Sequence, residues 1–371
     1  GANTYSGTTT VSAGSLQVGD GGTIGTLGTG SVLNNANLIF NRSDDLALNN
    51  LISGSGALAQ NGAGTLFLNG MSSYTGATAV NSGALRVNGS IASSSLTTVA
   101  SGALLGGNGN VGNLLVQAGG FIAPGNSIGT LTVNGNYTGT AGSVLSIETQ
   151  LGDDASPTDK MHVVGDTSGT SQLIVRNAGG TGALTDKGIP VIIVEGASNG
   201  TFTMAAPVQA GSYEYTLNQG GKNANAKNWY LNSEIIPTCA NTPTLCPVKP
   251  IYIYRPAVAN YVTAQSANAD AGFTLLSTLH QRMGEQRGAS TGLTTEKAQT
   301  WGRIFAGTKE ADGKNRFNYD STISGFQFGR DLMHKTDANG TQQRAGVTVQ
   351  YANNSIDSVD TMRPLAGLNA D

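Results

Sequence analysis

Over the first 150 residues, apolar side chains alternate with Thr, Ser and Asn in runs of a few residues, with glycines between the runs. A core pattern, Val-x-x-Gly-x-apolar, recurs at Val11/Gly14/Leu16, Val80/Gly83/Leu85, Val99/Gly102/Leu104 and Val116/Gly119/Phe121. The last three copies are spaced by 19 and then 17 residues. Period-two alternation predicts short strands with one buried face, and the glycines predict turns. The spacing suits one coil of a parallel β-helix, in which no coil buries its apolar side chains alone. A longer phrase agrees: Tyr5-Ser-Gly-Thr-Thr-Thr-Val-Ser-Ala-Gly-Ser-Leu-Gln-Val18 returns 69 residues later as Tyr74-Thr-Gly-Ala-Thr-Ala-Val-Asn-Ser-Gly-Ala-Leu-Arg-Val87. Three or four coils are expected between the two.

Beyond residue 150 the pattern changes. Lys160–Gly165, Gln172–Arg176, Ile189–Glu195 and Trp229–Ser233 read as longer strands, more charged and aromatic, as a unit that ends a solenoid must be. Such a cap covers edge groups that would otherwise pair with other chains. Residues 237–254 form a linker with Pro237, Pro243, Pro247 and Pro250, and Pro removes backbone donors, so an extended tether is expected. A helix is predicted over 255–290. Pro256 fits its first turn, and Val258, Tyr261, Val262, Phe273, Leu276, Leu279 and Met283 fall at helical spacings. From Gln299 to Asp371 period two returns, in Trp301–Phe305, Ile323–Phe328 and Val347–Tyr351. Amphipathic strands of this kind suit an outer-membrane barrel, and equally a soluble sheet.

Composition sharpens this picture. Glycine contributes 53 residues and charged side chains only 12%. Within residues 1–150 the charged side chains are Asp20, Arg42, Asp44, Asp45, Arg86 and Glu148. The net charge of −3 argues against a nucleic-acid surface, which needs clustered Lys and Arg. No stretch approaches the roughly 20 apolar residues of a membrane helix. The sequence carries no initiator Met or signal peptide and starts mid-repeat, so a longer parent protein is expected. The two cysteines, Cys239 and Cys246, flank a short Pro-containing loop. A disulfide there implies an oxidising compartment, whereas a zinc site needs about four ligands and finds none nearby.

Several motifs invite chemistry. Gly125-Asn-Ser-Ile-Gly129 has the Gly-x-Ser-x-Gly form of a nucleophile elbow, but Thr130-Leu-Thr-Val133 after it reads as strand where that turn needs a helix. Gly107-Asn-Gly-Asn-Val-Gly112 has the dinucleotide-loop form without a following helix. His162 lies near Asp159 and reads as structural, while His280 and His334 lie outside the solenoid. Asp44-Asp45 and Asp153-Asp154 fall short of the six or more oxygens that calcium takes and read as solvated turns. Arg282, Glu285 and Arg287 read either as the solvated face of the helix or as partners for residues lining a barrel lumen. No residue is assigned to catalysis, a cofactor or a metal.

The parts in this order resemble the C-terminal half of a classical autotransporter of Gram-negative bacteria with a pertactin-like passenger. Asn61-Gly-Ala-Gly-Thr-Leu-Phe-Leu68 followed by Tyr74–Val80 resembles the passenger-associated repeat, and Ala123–Tyr137 resembles a late passenger coil. Asp159–Asp166, Gly211–Tyr215 and Asn228–Leu231 are similar to the pertactin-like C-terminal, or autochaperone, region. Tyr254–Tyr261 and Leu279–Arg287 resemble the segment that enters the barrel, and Trp301-Gly-Arg303 resembles its first strand. The resemblance implies an all-β fold: a right-handed parallel β-helix over 1–150, a capping autochaperone region over 151–236, a pore helix over 255–290 and a partial antiparallel transmembrane β-barrel over 299–371. It implies self-export by type V secretion through the periplasm to the outer membrane and cell surface, without enzymatic activity in this chain. It also implies partnership with outer-membrane lipid, the barrel-assembly machinery and periplasmic chaperones. Two alternatives are kept open: an adhesin that binds host surface molecules through the β-helix, and the stalk of an upstream protease or lipase. The family's barrel has roughly twelve strands, and only about three fit here, so no closed pore is expected from these residues alone.

Overall fold

A computed structural model describes residues 1–221, 224–235, 251–276, 300–313, 316–336, 339 and 342–362. They fall into two compact units, Gly1–Ile253 and Tyr254–Asp371. Both are dominated by β-structure, with one described helix.

The first unit is a parallel sheet curled into three faces, an arrangement that fits a β-helix. The first face begins Thr9–Val11, Val32–Asn34, Ile52–Ser53. The second runs through Ser15–Val18, Asn37–Phe40, Ala57–Gln60 and Thr78–Val80. The third runs through Leu46–Leu48, Thr65–Leu68, Ala84–Val87 and Leu104–Gly107. Each strand pairs in parallel with its equivalent about twenty residues on. Register turns the alternating pattern into columns. On the third face Leu46, Leu66, Leu85, Leu105, Ile122, Leu145, Leu173 and Met204 are successive partners, and those from Leu66 to Leu173 are buried. Burying each such side chain contributes on the order of 2 kcal/mol.

The glycine of the core pattern has one physical reason. Gly14, Gly83, Gly102 and Gly119 all adopt positive φ, between 57° and 78°, a conformation that costs other residues strain. The register also corrects two expected core positions. Leu104 and Phe121 pair with each other on the outward side, and Leu105 and Ile122 take the buried column. The turns after Gly102 and Gly119 are one residue longer than the turn after Gly83, and a one-residue slip exchanges the faces of a strand.

The 69-residue repeat has a structural counterpart: Tyr5 and Thr9 hydroxyls lie 2.8 Å apart and those of Tyr74 and Thr78 2.7 Å apart. Yet the copies occupy different faces. Ser15–Val18 reaches Thr78–Val80 in three parallel steps, through Asn37–Phe40 and Ala57–Gln60. The second copy of Ser15–Val18 is Ala84–Val87, one face further on. The offset is therefore three coils plus one face.

Toward the cap the coils widen, and the second and third faces merge into the long strands Tyr137–Thr149 and Thr167–Asn177. The first face continues through Lys160–Val163 to Ile189–Val194, still in parallel. There the direction changes. Ile189–Val194 pairs antiparallel with Trp229–Asn232, which pairs antiparallel with Tyr213–Gln219, which pairs antiparallel with Val208–Ala210. The end of the expected tether joins this cap: Ile251–Tyr252 pairs with Glu234–Ile235, and the Ile253 amide donates to the Ser233 carbonyl. Residues 236–250, with Cys239 and Cys246, lie outside the described residues.

In the second unit Ala257–Leu275 is helical. It buries a stripe of small residues, Ala259, Thr263 and Ala267, whereas Tyr261, Val262, Phe273 and Leu276 of the expected apolar stripe are exposed. Small side chains at every fourth position let the helix approach the adjoining sheet closely, and the Thr263 and Ser358 hydroxyls meet at 2.6 Å. That sheet has three long antiparallel strands, Thr300–Ala311, Phe317–Thr336 and Gln342–Asp360. No helix among the described residues is long and apolar enough to cross a membrane, which bears only on helices. Residues 277–299, with His280, Arg282, Glu285 and Arg287, lie outside the described residues.

The register makes a direct prediction. Leu105→Ala lowers the stability of the chain by about 3 kcal/mol in urea unfolding. Leu104→Ala, one residue away on the outward side, costs about 1 kcal/mol or less.

Candidate functional site

The Gly125–Gly129 loop connects the third-face strand Phe121–Pro124 to the first-face strand Thr130–Val133. Gly125 has φ 82°, and the strand Thr130–Val133 follows directly, as the sequence reading expects. The carboxylate of Asp159 holds the loop from below: Oδ1 accepts the Gly129 amide at 2.8 Å, and Oδ2 accepts the Glu148 amide at 2.8 Å. Asp159 thereby ties three separate chain segments together while only 2% exposed. From the other side Arg86 reaches across two coils, its Nη1 donating to the Gly125 carbonyl at 2.7 Å. Gly106 lies under that path. A Cβ there would stand 2.4 Å from the Ala123 carbonyl oxygen and 3.3 Å from Arg86 Nη1.

Asn126 closes a ladder of side-chain amides on the coil exterior. Asn69 donates to Asn49 at 2.9 Å, Asn88 to Asn69 at 2.9 Å and Asn126 to Asn88 at 2.8 Å. The sequence carries a signal for this ladder in the recurring Leu68-Asn-Gly70 and Val87-Asn-Gly89 at strand ends. Around the loop lies an open groove of about 300 Å³, with Arg86, Phe121, Asn126, Glu148, Asp159 and Arg176 among its lining residues. Arg176 and Glu148 approach to 3.6 Å. Burial pushes the Asp159 carboxyl above the usual carboxylate range, and the Glu148 and Gly129 amides oppose that rise.

The motifs weighed in the sequence do not converge. Ser127 is exposed beside Asp159, but the imidazole of His162 faces Glu195, Nε2 to Oε1 2.7 Å. Gly107–Gly112 turns into the strand Asn110–Val111 of the first face. Asp44 is held by Arg42, whose Nε and Nη2 donate to it at 2.9 and 2.8 Å. Asp154 has a larger task than a solvated turn: its carboxylate accepts the amides of Asp186, Lys187 and Gly188 at 2.9 to 3.0 Å, clamping the entry to the cap. Among the described residues no group of His, Cys, Asp or Glu has a metal-site arrangement. His334 pairs with Arg344 by backbone register.

The cap interior is aromatic. Tyr137 stacks on Phe202 with centroids 5.8 Å apart, and Phe202 meets Trp229 edge-on at 5.3 Å. The Tyr137 hydroxyl lies 2.7 Å from that of Ser171, and burial raises its pKa. The Tyr215 hydroxyl donates within reach of the Gly152 and Ala183 carbonyls, at 2.8 and 2.9 Å, and accepts the Ala183 amide at 2.9 Å. In the second unit, the guanidinium of Arg316 pairs with Asp360 through two nitrogens, at 2.8 and 2.7 Å, and lies over the ring of Tyr254 at 4.4 Å.

A parallel coil closed by an antiparallel, aromatic-filled cap defines a stacked-repeat protein that carries its own terminator. Comparison with known proteins gives that class its family. Residues 110–217 match the type 1 autochaperone domain, and residues 1–18 and 58–87 match the passenger-associated transport repeat. The chain is 34% identical to the adhesin BmaC autotransporter of Brucella suis biovar 1 (strain 1330), over 95% of this chain and 11% of that protein. It is 35% identical to the autotransporter adhesin AIDA-I of Escherichia coli, over 55% of this chain and 15% of that protein. It is also 36% identical to the uncharacterized protein YdeU of Escherichia coli (strain K12), over 62% of this chain and 50% of that protein. The chain thus spans at most about half the length of these relatives. It belongs to the classical autotransporters and carries passenger-associated repeats and an autochaperone domain.

The raised pKa of Asp159 has a testable sign. Because the folded state takes up this proton at a higher pH than the unfolded chain, stability contributed by this group falls as pH rises from the ordinary carboxylate value, near 3.9, through the folded value. Urea unfolding of the native chain minus that of Asp159→Asn, measured from pH 4 to 7, is predicted to show this downward slope. At pH 7 the Asn variant is less stable by about 2 kcal/mol, since it leaves one buried amide unpaired.

Proposed function

We propose that this chain is the membrane-proximal end of an autotransporter passenger, whose cap serves as the template on which the exported coils fold. The observation that carries the reading is the change from parallel to antiparallel pairing at Ile189–Val194 and Trp229–Asn232, inside and just beyond the autochaperone match. A coil that emerges unfolded has no partner for its apolar column. A preformed cap supplies that partner, and each stacked coil becomes the template for the next. In this reading the solenoid is right-handed over 1–150, the cap covers 151–236 with the coils before it from residue 110, and 237–254 is a tether. The segment 255–290 is the pore helix, and 299–371 opens an outer-membrane barrel that further strands complete. The small-residue stripe of the helix and the exposed apolar residues Ile304, Phe328, Val347 and Val349 support that part.

The passenger is displayed on the cell surface after passage through the periplasm, with barrel insertion by the assembly machinery and periplasmic chaperones holding the unfolded chain. Its role is adhesive, as the similarity to the adhesins BmaC and AIDA-I supports. Sparse charge in the coils eases transit, since few ions must be moved through a narrow pore.

The test uses the full-length autotransporter expressed in a Gram-negative host. Deleting 151–236 is expected to leave the passenger exported but degraded by external protease, while the parent passenger resists. Equal protease resistance of the deletion variant contradicts the template role.

A further inference from the structure

We infer that the groove beside the Gly125–Gly129 loop binds a neutral oligosaccharide. The inference rests on the surface-display reading and adds to it the class of molecule this passenger takes.

Three observations converge. The outward row of the third face pairs Leu104 with Phe121, where a solvated coil exterior calls for polar residues. Phe121 is 38% exposed, although the adjacent column of Leu105, Ile122 and Leu145 already supplies the core. An aromatic ring kept at the wall of a groove offers a flat apolar face with a negative quadrupole, the complement of the C–H face of a pyranose.

The polar lining is planar and positioned. Arg86 is fixed through Nη1, which donates to the Gly125 carbonyl at 2.7 Å and lies 3.4 Å from Asn126 Oδ1, and Nε and Nη2 are further donors of the same planar guanidinium. Asn126 is fixed by the ladder through Asn88. Glu148 and Arg176 stand 3.6 Å apart, beyond hydrogen-bond distance, so both keep capacity for a ligand. Guanidinium, amide and carboxylate groups bridge adjacent hydroxyls in the two-point manner sugars require.

Charge and size select the class. Two guanidinium groups face two carboxylates, which leaves no unopposed charge to favour a phosphate or a cation. The cavity of about 300 Å³ matches the small end of ligand sites and accommodates one or two sugar rings. Rigid strands and the Asp159 clamp preform it, so little ordering is needed on binding.

Saturation-transfer NMR on the full chain, with lactose, maltose, chitobiose and sialyllactose as probes, tests the inference. Transfer from at least one neutral disaccharide is expected, with a Kd around 1 mM. Phe121→Ser and Arg176→Gln are each expected to weaken it about tenfold. Arg176 is exposed, so its variant keeps the parent unfolding midpoint and decides the matter if Phe121→Ser fails to fold. No transfer from any neutral sugar, transfer from sialyllactose alone, or undiminished binding in the Arg176 variant overturns the inference. Export assays are independent of this result: intact protease-resistant display without saccharide binding defeats the groove alone, and binding without display defeats the display reading alone.

Discussion

Everything in the first unit depends on one constraint: an inward apolar side chain is buried only if the coils above and below it are in register. The column from Leu66 through Leu85, Leu105, Ile122 and Leu145 to Leu173 satisfies that condition step by step. No coil carries enough apolar surface to close a core by itself, so stability is a sum over neighbours. The same rule applies to the backbone, because every strand leaves one row of amides for the next coil to satisfy. A terminator is therefore a physical requirement, and the antiparallel turn-back at Trp229–Asn232 meets it with the Tyr137–Phe202–Trp229 cluster beneath it.

Polar groups keep the register as the apolar columns cannot, since one leucine stacks on another with little preference. Arg86 spans two coils to Gly125, Asp159 joins the loop at Gly129 to the strand at Glu148, and Asp154 fastens the entry to the cap. Each of these contacts links segments far apart in sequence and satisfies backbone groups that would otherwise be left without partners. The asparagine ladder links successive coils at the strand ends through side-chain amides alone. The candidate groove is a by-product of this fastening: the side chains that hold the loop also line the space beside it.

Much of the architecture was legible in the sequence because period two and recurrent glycine are local signals. The positive φ at Gly14, Gly83, Gly102 and Gly119 is what made the core pattern visible. What the sequence hid was set by turn length and by packing against distant segments. One extra residue after Gly102 moved the buried position from Leu104 to Leu105. The 69-residue repeat implied three or four coils, and the register resolves this as three coils plus one face, which the repeat concealed. In the helix, hydrophobicity pointed to Tyr261 and Phe273, while close approach to the sheet selected Ala259, Thr263 and Ala267. The clamp at Asp159 was hidden for the same reason: its partners lie 30 and 11 positions away.

Stacking from a closed end implies a gradient of local stability along the solenoid, and hydrogen exchange of the full chain measures it directly. Amide protection is predicted to be greatest across the cap and its adjoining coils, Tyr137–Thr149, Thr167–Asn177 and Trp229–Asn232, and to decline coil by coil toward Thr9–Val11. Protection that is uniform along the coils, or strongest in the first of them, would contradict the account that the cap is the template from which the stack is built.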